Sequence, residues 1–328
     1  MESKWLAMVL VVLSLGSGLC DGCLEEERFA LFQLKPFFEF IDYKFQDLIN
    51  DDFVYEKESS SNCCEWERVE CNSITGRVTH LFLNYSSNMK IDWYLNASLF
   101  LPFEKLQNLS LRGNFITGCV ANQCFERLSS KLDKLENLDL SDNHFNNNIL
   151  ASLSELSSLK SLNLAENVFT RSNPTNESNN NWMKLKELYL EGNEIESLGS
   201  LFHEGMKFNK LEVLSLNGNL LNNSVFSSLF ELSNLKSLDL SDNQLEGAIY
   251  TKHLMTFQNC KKKKSCPFEN LNALSNLEEL ILSGNEVNGF IPSQGLRLMN
   301  LKHLDLSGNG FNNSILSSLA TLSNLKTL

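Results

Sequence analysis

No stretch of the 328-residue sequence is long and apolar enough to cross a bilayer. The most hydrophobic run, Leu6 to Leu15 (LAMVLVVLSL), has ten residues, whereas a membrane helix needs about 20. Basic charge is short as well. Against 28 Lys and Arg stand 40 Asp and Glu, a formal net charge of −12, so the general basic face that nucleic acid requires is missing. Histidine is scarce and scattered, at His80, His144, His203, His253 and His303. There is no HExxH, no GxSxG and no phosphate-binding glycine loop, so nothing points to catalysis or to a cofactor. The short apolar run reads instead as a secretion signal. Lys4 precedes it and the small residues Gly16, Ser17, Gly18 and Gly22 follow, which sets cleavage near Gly22. A buried core helix is the competing reading, and the extreme terminal position argues against it. Loss of residues 1–22 removes Lys4, Glu2 and Asp21, leaving 27 basic and 38 acidic side chains.

What is abundant is repetition. An asparagine at 114, 143, 167, 193, 219, 243, 285 and 309 closes the phrase Leu-x-Leu-x-x-Asn each time, at intervals of 29, 24, 26, 26, 24, 42 and 24. A recurring unit near 24 residues defines a leucine-rich-repeat solenoid. In Leu-x-Leu the period of two puts both leucines on one face of a short strand. Another leucine recurs three residues upstream, at Leu106, Leu135, Leu159, Leu185, Leu211, Leu235, Leu277 and Leu301. One repeat alone cannot bury these side chains, whereas stacked repeats share a continuous core. The expected fold is therefore α/β, a right-handed curved superhelix. A parallel sheet lines its concave face, and short 3-10 or α turns and loops lie on the convex face. Asn114, Asn143, Asn167, Asn193, Asn219, Asn243, Asn285 and Asn309 should form a ladder, because the turn after each strand leaves inward backbone groups that a side-chain amide can satisfy. Ser86 stands in the asparagine's place in the first repeat.

Without Cys20, which leaves with the signal, eight cysteines remain, an even number in an oxidising compartment. Cys23 opens the mature chain before a helical stretch that Pro36 ends. Adjacent cysteines pair poorly with each other, so the expected bridges are Cys23 to Cys63 and Cys64 to Cys71. Two further pairs are local, Cys119 with Cys124 and Cys260 with Cys266. A zinc reading is weaker, since neither histidines nor a C-x-x-C pair accompany these eight. The expected organisation is a leader at 1–22, a disulfide-bonded cap at 23–77 with Trp66 as part of the lid, and repeats from 78 to 328. An insertion at about 250–270 accounts for the 42-residue interval.

Cys23-Leu24-Glu25-Glu26-Glu27-Arg28, Cys63-Cys64-x-Trp66, Val69-x-Cys71-Asn72 and Thr75-Gly76-Arg77-Val78 resemble the amino-terminal cap of plant extracellular leucine-rich-repeat proteins. The likeness is strongest to the receptor-like proteins. It implies a receptor ectodomain that binds an extracellular peptide, protein or oligosaccharide and signals through partner or adaptor receptor kinases. Anchoring at the plasma membrane would come from segments absent here. Secreted polygalacturonase inhibitors and receptor-kinase ectodomains are the alternatives. Ser323 to Leu328 begin a repeat without completing it, so the chain is expected to be the front portion of a longer receptor. Family repeats continue after the asparagine as Leu-x-Gly-x-Ile-Pro, forming a second strand. Only Gly289-Phe290-Ile291-Pro292 keeps that phrase whole. Gly247-Ala248-Ile249 and Gly118-Cys119-Val120 keep part, while Asn147-Asn148-Ile149, Asn223-Ser224-Val225 and Asn313-Ser314-Ile315 replace the glycine, making a second strand less secure there.

Ligand recognition is expected on the concave sheet, where positions of successive strands align. Between the paired leucines lie Phe82, Ser110, Asp139, Asn163, Tyr189, Ser215, Asp239, Ile281 and Asp305. Against this mostly Ser, Asp and Asn background, Glu187, Tyr189, Glu191 and Val213 stand out, as do Ile281 and His303. Exposed apolar groups on a polar sheet suit a peptide anchor, although single exposed apolar residues are also ordinary. Six N-x-Ser sequons, at Asn84, Asn96, Asn108, Asn176, Asn222 and Asn312, suit a secreted glycoprotein. Lys261 to Lys264, between Cys260 and Cys266, read either as a basic loop for an anionic partner or as a solvated insertion.

Overall fold

The computed structural model describes residues 23–34, 62–85, 92–170, 182–200, 208–229, 232–250, 271–291, 296–313 and 315–328. The leader, Ser86, Asn176, His203, His253, the Cys260 and Cys266 pair and the Lys261–Lys264 loop lie outside these residues.

Ten short strands form one sheet: Val69–Cys71, Val78–Phe82, Asn108–Ser110, Asn137–Asp139, Ser161–Asn163, Glu187–Tyr189, Val213–Ser215, Ser237–Asp239, Glu279–Ile281 and His303–Asp305. From Val78–Phe82 onward every neighbour is parallel, in an unbroken register that sets Leu109, Leu138, Leu162, Leu188, Leu214, Leu238, Leu280 and Leu304 side by side. All eight are buried, as are the upstream leucines from Leu106 to Leu301. Each contributes roughly 1.5–3 kcal/mol by leaving water. Glu279–Ile281 pairs directly with Ser237–Asp239 across the 42-residue interval. The interruption therefore does not break the stack. The strand Glu246–Tyr250 runs through the start expected for the insertion, so any inserted stretch begins after Tyr250.

The sheet starts inside the cap, which the sequence had not suggested. Val69–Cys71 pairs antiparallel with Val78–Phe82. The connection is tight because Asn72 Oδ1 accepts the amides of Ile74 and Thr75, both at 3.0 Å, and Gly76 takes φ +66°. The helix Glu25–Gln33 packs beside this hairpin, with Cys23 bonded to Cys63 and Cys64 to Cys71. The Trp66 ring meets Phe32 edge-on at 5.1 Å. Glu27, 0% exposed, locks the helix to the first parallel strand by accepting from Arg77 Nε at 2.8 Å and from the Val78 amide at 3.2 Å.

The asparagine ladder repeats its donor geometry at every rung. Asn143 Nδ2 donates to the carbonyls of Leu140 and Ser141 in its own repeat and of Leu111 in the preceding one, each at 3.0 Å. Its Oδ1 accepts the amides of Asn114 and Ile116 at 3.1 and 3.0 Å. Asn167, Asn193, Asn219, Asn243, Asn285 and Asn309 repeat the donor half, and the Oδ1 of each accepts one amide of the preceding repeat. A second ladder accompanies it. Asn234, Asn276, Asn300 and Asn324 each donate to a carbonyl one repeat back, those of Asn209, Ser233, Ser275 and Met299.

Beyond the asparagine the repeats divide in two. Second strands form at the repeats that keep the glycine and also at Trp93–Leu95, which has none. Glu246–Tyr250 pairs with Glu286–Ile291, and Ile116–Cys119, joined by Cys119 to Cys124, pairs with Trp93–Leu95. Gly247 takes φ +63° in this stretch. Where Asn replaces the glycine, helical turns appear instead, at Ile149–Leu153, Asn223–Leu229 and Ile315–Leu319. Two asparagines divide the work in these repeats. Asn146 and Asn222 accept the amide two residues on, at 3.1 and 2.9 Å, opening the turn. Asn147 and Asn223 then act as side-chain substitutes for a strand. Asn147 exchanges both bonds with the Thr170 backbone, at 2.9 and 3.0 Å, and Asn223 does so with Glu246, at 2.7 and 3.2 Å. Asn147→Ala and Asn223→Ala should each cost about 1–3 kcal/mol. In hydrogen exchange the Thr170 or Glu246 amide should lose protection; unchanged protection would refute the role.

Candidate functional site

The strand registers fix what faces the concave surface. Ser110, Asp139, Asn163, Tyr189, Ser215, Asp239, Ile281 and Asp305 form one row, flanked by Asn108, Asn137, Ser161, Glu187, Val213, Ser237, Glu279 and His303. Much of the polarity is internally satisfied. Asp139, Asp239 and Asp305 each accept the amide of the serine two residues on, Ser141, Ser241 and Ser307, at 2.9–3.0 Å. Glu279 accepts from Ser237 Oγ at 2.7 Å. These contacts hold the acids against the surface.

Tyr189 breaks that pattern. It stands between Glu187 and Glu191 on its own strand, and the register sets Glu187 beside Val213. The structure corrects the expectation of freely exposed anchors: Glu187, Tyr189, Glu191, Val213 and Ile281 are all half-buried, and only His303 is exposed. Parallel strands about 4.8 Å apart crowd each row and cover the bases of its side chains. The expected surface is also two surfaces. Ser215 and Asp239 separate Tyr189 from Ile281 and His303, and His303 Nδ1 is bonded to Thr327 Oγ1.

The electrostatics of the Tyr189 group are unfavourable in the unliganded chain. Glu191 Oε2 is shielded from solvent and has no hydrogen-bond partner among the described residues, although Ser215 hydrogen-bonds the same carboxyl group. Burial first, and then the carboxylates of Asp239 and Glu166, push the Glu191 carboxyl above the usual glutamate range. Burial and the two flanking glutamates likewise raise the Tyr189 phenol. The folded state thus holds the Glu191 proton more tightly than the unfolded chain does, and stability attributable to this group increases as pH falls through the raised value. Glu191→Gln should therefore be more stable than the parent at neutral pH, by less than about 1 kcal/mol because solvent screens the half-buried carboxylate, with the difference shrinking under acid. Equal melting temperatures across that pH range would contradict this.

The sequons fall in different settings. Asn96 and Asn222 use only their carbonyl oxygens, capping 3-10 turns through Ser98 N at 3.1 Å and Ser224 N at 2.9 Å. Asn312 is exposed, whereas Asn84 has a buried carbonyl oxygen without a partner. Asn108 lies on the concave face and accepts from Asn137 Nδ2. Among the described residues no cluster of His, Cys, Asp and Glu could hold a metal ion, and no helix is long and apolar enough to cross a membrane.

A stack of this geometry, with its leucine core and asparagine ladder, defines a leucine-rich-repeat protein. Two family models described as leucine-rich repeat match it, one at residues 231–249 and 297–320, the other at 134–156. Cuscuta receptor 1 of Solanum lycopersicum is 35% identical over 260 residues, covering 76% of this chain and 23% of the relative. Receptor-like protein 9a of Arabidopsis thaliana is 34% identical over 218 residues, 66% of this chain and 19% of that one. The ectodomain of the Arabidopsis thaliana receptor kinase GASSHO1/SCHENGEN3 superposes with a TM-score of 0.57 at 26% identity, over 91% of this chain and 32% of that one. The chain belongs to the plant leucine-rich-repeat receptor-like proteins. It spans about a quarter or less of the length of these two receptor-like relatives.

Proposed function

We propose that the chain is ectodomain sequence of a plant cell-surface receptor that binds an extracellular peptide on its concave sheet and itself performs no catalysis. Signalling passes to partner receptor kinases. Residues 1–22 direct secretion, residues 23–77 cap the solenoid, and the sequons carry glycans. The Tyr189 group is the observation that carries the binding assignment. An aromatic ring, Val213 and two carboxylates interrupt a surface whose other acids are engaged by serines, and such anchors dominate binding energy at interfaces. The GASSHO1/SCHENGEN3 ectodomain was solved in complex with CASPARIAN STRIP INTEGRITY FACTOR 2, which supports a ligand-binding role for a related stack.

Selection of random displayed peptides on the glycosylated chain tests this reading. Selected peptides should lose affinity by about tenfold or more on Tyr189→Ala with Glu187→Ala. Peptides that all bind the double variant as tightly as the parent would overturn it.

A further inference from the structure

Building on that binding reading, we propose that the trough between Arg112 and Glu191 selects an extended peptide with an acidic and a basic side chain about four residues apart. The acid is received by Arg112 and the base by Glu191. Neither group has an ion-pair partner among the described residues. Asp139, Asp239 and Asp305 are engaged by serines, and Glu279 by Ser237. His80 faces Glu70 at 3.7 Å and His303 bonds Thr327. Glu187 has only a 3.5 Å contact from the Tyr189 hydroxyl. Arg112 is exposed, stacks over the Tyr85 ring at 5.5 Å, and makes no ion pair among the described residues. Glu191 is hydrogen-bonded by Ser215, yet keeps Oε2 shielded and without a partner among the described residues.

The two charges lie in a single row. Backbone bonds from Gly113 to Ser141 at 3.0 Å, Asp142 to Ala165 at 2.9 Å and Glu166 to Glu191 at 2.7 Å carry the sheet register through Arg112, Ser141, Ala165 and Glu191. Three strand spacings of about 4.8 Å separate the ends by roughly 14 Å. Ser141 and Ala165 are small, so the row dips between its charged ends and leaves room for a chain lying across the strands. An extended peptide advances about 3.3 Å per residue, so roughly four residues cover the span. That even number returns both side chains to the same face. The carboxylates that burden Glu191 favour a cation there, and a ligand base should be held less well once acid protonates Glu191.

Capped synthetic peptides with serine spacers test the arrangement by fluorescence anisotropy on the full chain. An Asp and an Arg placed i,i+4 should bind about tenfold tighter than the same pair placed i,i+3, or than Asp–Asp and Arg–Arg pairs at i,i+4. Arg112→Glu should turn the preference to the Arg–Arg peptide, and Glu191→Lys to the Asp–Asp peptide. Arg112 is exposed, so its variant serves even if Glu191→Lys does not fold. Indifference to spacing in the parent, or a preference unchanged in Arg112→Glu, would overturn the proposal. If selected peptides need Tyr189 but show no such charge pair, only this inference fails. If none needs Tyr189, the binding reading itself fails.

Discussion

Asn167→Asp is expected to destabilise the central repeats by about 3–5 kcal/mol, although the two side chains are nearly the same size. Asn167 Nδ2 donates to the carbonyls of Leu140, Leu164 and Ala165 at 3.0, 3.1 and 3.0 Å, and the residue is only 7% exposed. An aspartate would set a second oxygen against those three carbonyl oxygens and bury a charge with no cation beside it. It would recover partly under acid, where a protonated carboxyl can donate once. The loss should be local, because each repeat contacts mainly its neighbours. Hydrogen exchange should show it first at the Phe145 amide, which donates to Asn167 Oδ1 at 2.9 Å. Parent-like thermal stability and protection would show that the ladder does not hold the stack.

Glu27→Ala is expected to cost about 3 kcal/mol and to release the cap helix from the sheet. Removing one partner of a buried pair leaves the other uncompensated, which is more damaging than never having had the pair. Here Arg77 would lose its 2.8 Å partner and the Val78 amide its acceptor. Glu27→Gln retains an acceptor for Val78 and should cost less. The Cys23–Cys63 bond keeps the helix tethered in either case. Denaturant unfolding together with exchange at Val78 measures both effects, and an alanine variant within about 0.5 kcal/mol of the parent would remove Glu27 from its assigned role.

The parts of this fold that were legible in sequence are those in which one residue type serves one function at a fixed interval. Leu138 and Leu140 face the core because strands alternate, and Asn143 follows because a turn with inward backbone groups recurs. Features that depend on contacts across repeats were not legible. Asn147 and Asn223 looked like losses of glycine, yet each amide replaces a strand pairing with the next repeat. Asn234 and Asn276 recur in the phrase Leu-Ser-Asn-Leu, a signal available in the sequence but overshadowed by the stronger asparagine row. Glu27 resembled any helix-surface glutamate until Arg77, fifty residues on, closed over it. At the candidate site the rows themselves could be read from the repeat. Half-burial of Tyr189 and the separation of Ile281 from it follow from strand spacing and order. The order of repeats in sequence already gave the separation, whereas the half-burial needed the packed strands.

Photocrosslinking on the glycosylated chain provides the most direct measurement of ligand recognition on the concave sheet. A benzophenone amino acid replaces Tyr189 in one variant and Glu155, exposed just after the helix Ile149–Leu153, in another. A selected peptide bound to the chain should crosslink through position 189 and not through position 155. Crosslinking confined to position 155 would place recognition on the convex side and contradict the assignment of the concave face.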